Sequence, residues 1–142
     1  MSHPSLDAAL DALGGPGTAT IDGDGHQAEV DVIDVDRLGV KVREVRVRHD
    51  VPRDIVEEAR ALPDRLRALP EKAEAIEVAP TLGGARLRSE PRGAQGDMYE
   101  VDLEADGVTI RRTTRGDDGS RQAEDFTLTR EQLDKLLEQA AG

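Results

Sequence analysis

The sequence contains no cysteine and no tryptophan, and its only large aromatic side chains are Tyr99 and Phe126. Without thiols there is no disulfide, no thiolate nucleophile and no cysteine-based metal site. With so few rings, a core has to be assembled from Val, Leu, Ile and Ala, and the usual stacking platform for nucleic-acid bases is missing. No apolar run approaches the ~20 residues that a membrane-spanning helix needs. The opening residues, Met1 to Asp7, have no basic stretch leading into an apolar one. No secretory signal is therefore expected, and the expected location is cytoplasmic.

Basic charge is also scarce. Nineteen Lys and Arg stand against 30 Asp and Glu, a formal net charge of −11 over 142 residues. Residues 1–70 carry 9 basic and 14 acidic residues and residues 71–142 carry 10 and 16, so no basic tail or half exists. Nucleic-acid affinity is built mainly on phosphate neutralisation, so neither nucleic acid nor a membrane is an expected partner. Only Lys41, Lys72 and Lys135 are lysines; the other sixteen basic residues are arginine. A GC-rich coding sequence, adaptation to high salt and an acidic surface shaped for a basic partner all fit that bias.

What is present reads as an α+β fold of mainly antiparallel sheet, in one domain over residues 1–142. Two strand-then-helix halves, 1–70 and 71–142, are a possible internal division. Ser5 is a good N-cap for a short N-terminal helix with Leu6, Leu10 and Leu13 on one face, stopped by Gly14-Gly15. Ile55, Val56, Ala59, Leu62, Leu66 and Leu69 fall on one stripe, predicting a central helix over about 53–69, kinked near Pro63. Strands are expected at 75–79, 84–89, 98–105, 108–114 and 123–127, the third and fourth joined by Asp106-Gly107. A C-terminal helix over about 129–140 is announced by a capping box of Thr129 and Gln132, with Leu128 able to staple onto Leu133.

Residues 27–36 and 40–49 form a charged ribbon with a turn near Leu38-Gly39. Pairing positions that sum to 77 sets Asp36 against Lys41, Asp34 against Arg43, Asp31 against Arg46 and Glu29 against Arg48. The same register joins Val32 to Val45, Val30 to Val47 and Val35 to Val42. Apolar positions are even-numbered up to Val32 and odd-numbered from Ile33. That phase change predicts either a bulge or a projecting arm whose far half packs on a second subunit.

Chemistry is harder to find. "DGDGH", residues 22–26, resembles the start of a calcium loop, but position 5 is His26, position 6 is Gln27 and position 12 is Ile33, none of which fits. A hairpin turn suits Asp and Gly better. His26, His49 and Asp24 gather near that corner and are the only candidates for a metal site, without matching a ligand motif; no metal or other cofactor is expected. Ser2, Ser5, Ser89 and Ser120 lack the strand–turn–helix elbow of a nucleophile, and Gly83-Gly84 opens no phosphate loop. Glu100, Asp102 and Glu104 share one strand face opposite Arg86, Arg88 and Arg111, which reads as a solvated face.

The chain is accordingly expected to be a non-catalytic, acidic protein-binding module: a chaperone, adaptor, inhibitor or immunity-type protein that meets a basic partner. Candidate binding residues are Ile33, Val35 and Val42 in the distal ribbon and Glu100, Asp102 and Glu104 as the acidic option. The alternatives are a structural subunit that forms a homo-oligomer through the 27–49 ribbon, and a metal-dependent enzyme around His26 and His49.

Overall fold

A computed structural model describes residues 4–79 and 83–142; Ser2 lies outside them. Within them the chain is α+β, with three helices and nine strands, all strand pairs antiparallel. Helix α1 (Pro4–Leu13) is followed by β1 (Gly17–Gly23), β2 (His26–Val35) and β3 (Val40–His49). Helix α2 (Ile55–Arg65) leads to β4 (Ala73–Ala79), β5 (Gly84–Ser89), β6 (Met98–Glu104) and β7 (Gly107–Arg115). Two short strands, β8 (Arg121–Glu124) and β9 (Phe126–Leu128), precede helix α3 (Arg130–Ala141). The sheet runs β1-β2-β3-β7-β6-β5-β4, with β8 added to β7 and β9 to β3. Because β3 pairs with β7, strands of both halves share one sheet.

Strand alternation sorts the side chains. Val45 and Val47, Val101 and Leu103, Val108 and Ile110 point to the face that α1, α2 and α3 cover, and join Leu6, Leu10, Leu62, Leu133 and Leu136 in one aliphatic core. Burying each large aliphatic chain contributes about 1.5–3 kcal/mol. The intervening residues, Arg46, Arg111, Asp102 and Arg86 among them, stand on the open face. The core's two aromatic rings, Tyr99 and Phe126, meet edge to face at 5.4 Å.

Several expectations are corrected. Helix α1 starts at Pro4, so Ser5 lies inside it; proline's fixed φ and missing N–H suit the first turn. Helix α2 ends at Arg65 rather than 69 and carries Pro63 in its last turn, while Leu66 and Leu69 are buried just beyond it. The capping box at Thr129 forms as expected, each partner bonding the other's backbone N–H. The β6–β7 turn is Ala105-Asp106, one residue earlier than read, with Gly107 already in the strand. A Cβ on Gly107 would stand 2.6 Å from the Val47 carbonyl oxygen, so glycine there lets β3 close on β7.

The ribbon is paired two residues away from the expected register. Glu29 faces Arg46, Val30 faces Val45 and Asp34 faces Lys41. The cause is Asp36. Its carboxylate accepts the Leu38 and Gly39 N–H groups at 2.7 and 2.8 Å, which places the four-residue turn at 36–39, between paired Val35 and Val40, instead of at 37–40. A shift of two keeps the paired side chains on their expected faces, and only Val32, opposite Val42 between two irregularities, departs from it. The phase change is a pair of bulges: Arg43 is the extra residue on β3 and Ile33 the extra one on β2. On one side of Arg43 strand β3 pairs with β7, and on the other with β9, so the bulge is where β3 changes partner. Arg43 ties the junction to Asp125, between β8 and β9, at 3.0 Å.

Candidate functional site

The open sheet face is a lattice of ion pairs. Arg46 grips Asp31 with two hydrogen bonds, at 2.9 and 3.0 Å, and reaches Glu44 and Glu29. The Asp31–Arg46 pair is thus real, but diagonal rather than directly opposite. Its hydrogen bonds hold the Asp31 carboxyl below the usual range despite partial burial. Asp102 is held by both Arg86 and Arg111, and Glu100 by Arg88 at 3.4 Å and the Thr113 hydroxyl at 3.3 Å. From β2 to β6 these acids and bases therefore consume each other's charge.

Two of the expected binding residues are not on the surface. Glu100 is 5% exposed, and Val42 is fully buried where β9 pairs over it. The reason in both cases is a strand that the local pattern does not reveal as a neighbour. Ile33 and Val35 are half-buried, with Val35 packed on the core. Asp102 is half-buried among arginines, and Glu104 alone of that trio is exposed.

Uncompensated acid collects elsewhere, at the end of the sheet where three turns meet. Asp50 N–H donates to the Gly25 carbonyl at 3.0 Å, and His49 N–H donates to the Asp106 carbonyl at 2.6 Å. Those bonds set the β1–β2 turn, the end of β3 and the β6–β7 turn side by side. The β1–β2 turn is Asp24-Gly25, with Gly25 at φ 78°, where only glycine is unstrained. The rim carries Asp22, Asp24, Asp50, Glu104 and Asp106, all exposed, with Arg48 beside them. Among the described residues none of these five carboxylates is in an ion pair; Asp22 accepts a hydrogen bond from Gln27 at 2.9 Å. Asp22, Asp50 and Asp106 read in the sequence as ordinary turn residues; it is the strand order that gathers them into one acidic rim.

His26 and His49 are also brought together, as direct partners across β2 and β3. The His26 Nδ1 lies 3.3 Å from the Asp24 carbonyl oxygen. Among the described residues no group of three or more His, Cys, Asp or Glu is disposed to hold a metal ion. His49 is 5% exposed, and among the described residues neither ring nitrogen has a hydrogen-bond partner. Burial, reinforced by the Arg53 cation and opposed by Glu58, pushes its pKa below the usual histidine value; Arg65 and His26 act in the same direction as Arg53. An imidazole held neutral in the fold but free to protonate when unfolded costs stability in acid. Its contribution is intact above the unfolded value of about 6.5 and is lost as pH falls below it. Unfolding free energy measured between about pH 7 and 5 is expected to fall for the native chain and to fall less steeply for His49→Leu. Equal slopes would show that His49 is not the group responsible.

A depression of about 620 Å³ at the ends of β4, β5 and β6 is walled by Glu77, Arg86, Asp102 and Glu104. Among the described residues it offers charge but no histidine, serine or threonine for chemistry. Among the described residues no helix is long and apolar enough to cross a membrane. No protein-family model matches the chain, and comparisons with curated proteins and with solved structures also return no match.

Proposed function

We propose that the protein is a non-catalytic binding module that presents acidic surface to a basic protein partner. The observation that carries this reading is the rim of Asp22, Asp24, Asp50, Glu104 and Asp106. Its carboxylates are free of ion pairs among the described residues, whereas Asp31, Glu100 and Asp102 on the open face are neutralised by arginine. Five like charges held at the ends of adjacent strands create a field that speeds encounter with a cationic surface and rejects an anionic one. A cysteine-free chain suits the cytoplasm as the place of that encounter.

Self-association through the 27–49 ribbon is less well supported, since the chain's own β9 occupies Val42. A metal-dependent activity at His26 and His49 lacks a third ligand among the described residues.

The test is charge reversal. In the variant carrying Asp24→Lys, Asp50→Lys and Asp106→Lys, association with basic proteins captured by the native chain at low salt slows at least about tenfold, with melting temperature little changed. Capture of no basic partner, or capture that the three substitutions leave untouched, overturns the proposal.

A further inference from the structure

The main strand path ends in β1 on one side and β4 on the other, and these two edges are finished differently. β1 is packed by α1, and its Ile21 sits against the core. β4 has β5 as its neighbour on one side, and among the described residues no strand pairs with its other side. An unpaired edge leaves every second backbone N–H and C=O outward, ready to extend the ladder. β4 also carries two large exposed aliphatic residues, Ile76 at 55% and Val78 at 43%. Ile76 is the bulged residue without a partner on β5, and Val78 faces buried Ala85, which sets it on the helix-covered side.

The strand's other face is acidic. Glu74 and Glu77 stand opposite Arg88 and Arg86, so they lie on the open face, and both are exposed. Those arginines are engaged by Glu100 and Asp102, and among the described residues neither Glu74 nor Glu77 is in an ion pair. The depression walled by Glu77, Asp102 and Glu104 begins at this same edge.

Extending the acidic binding role proposed above, we infer that β4 receives an extended, basic segment of a partner protein as an added strand. Strand addition takes affinity from main-chain hydrogen bonds and specificity from alternate side chains. An occupant with alternating character fits: apolar residues beside Ile76 and Val78, Arg or Lys beside Glu74 and Glu77 with one cation seated in the depression. A second copy of this chain fits poorly, because it brings its own Glu74 and Glu77 and a further net charge of −11. The carboxylates thus repel self-pairing and attract a cationic strand.

The full-length protein, labelled with ¹⁵N, would be titrated with a synthetic seven-residue peptide of alternating Arg and Val. The expected result is amide shift changes concentrated at residues 73–79 and 84–89. Binding should weaken about tenfold in the surface variant Glu74→Lys/Glu77→Lys, given the size of cross-strand charge pairs. It should vanish when alternate peptide amides are N-methylated, and a Glu/Val peptide should not bind. Shifts centred on Asp24, Asp50 and Asp106 would overturn the edge site while leaving the acidic-module reading standing. Absence of any binding by the Arg/Val peptide would overturn both. A dimer in sedimentation velocity whose intermolecular contacts join β4 to β4 would assign the edge to a second copy and overturn the inference.

Discussion

Replacing Leu133 with alanine lowers the unfolding free energy by about 2–5 kcal/mol. Leu133 is fully buried at the first turn of α3, next to the capping box and close in sequence to buried Leu128. Removing three carbons there forfeits both transfer energy and packing, since the surrounding aliphatic layer cannot collapse without moving α3 off β3. Total stability of a domain is only about 5–15 kcal/mol, so this one change takes a large share of it. In thermal melts it corresponds to a drop on the order of 10 °C. Leu38→Ala is the natural control: Leu38 is 83% exposed at the ribbon turn, and its loss is expected to stay within about 0.5 kcal/mol. Similar melting temperatures for the two variants would refute the packing account.

The second large effect is expected at Glu58. Its carboxylate is bonded by Arg65 at 2.8 and 3.2 Å and reached by Arg53 at 3.4 Å. The same two arginines also donate to the C-terminal helix: Arg65 to the Gln139 carbonyl at 2.7 Å and Arg53 to the Ala141 carbonyl. Glu58 is therefore the anion that lets two partly buried guanidiniums join α2 to the end of α3. Glu58→Gln leaves both cations without their counter-charge and should cost about 2–4 kcal/mol, somewhat under the figure for a fully buried pair. Adding Arg65→Gln should recover part of that loss, since the orphaned cation is then gone, and a double-mutant cycle measures the coupling. Purely additive losses would show that the clamp is not a unit. The Arg65 hydrogen bond is the main reason the Glu58 carboxyl sits below the usual range, with burial working against it. A depressed carboxyl stabilises above its unfolded value and loses that contribution as pH falls through the folded one.

Much of this fold is legible in the residues, and the parts that are not share a physical cause. Thr129 with Gln132 announces α3 because a cap is a local hydrogen-bond exchange. The alternation of valine and charge gives the faces of β2 and β3 because side-chain direction is fixed by strand geometry. Register is another matter: charge pairing alone favours a sum of 77, and Asp36 overrides it by capping two turn amides. The phase change at Ile33 is visible in the sequence, but its reason, a strand handed from β7 to β9, depends on residues some eighty positions later. Long-range strand order is likewise what buries Glu100 and what assembles the acidic rim. No single segment of the rim looks different from an ordinary turn.

The changeover at Arg43 has a consequence for how the chain is made. Val40 and Val42 are sealed by Leu128 and Phe126, which a ribosome adds more than eighty residues later. At synthesis rates of about 5–20 residues per second, the far end of the ribbon waits roughly 4–17 s for its cover. During that interval the nascent chain exposes an unfinished valine edge, so it is most vulnerable to aggregation until Phe126 and Leu128 have emerged.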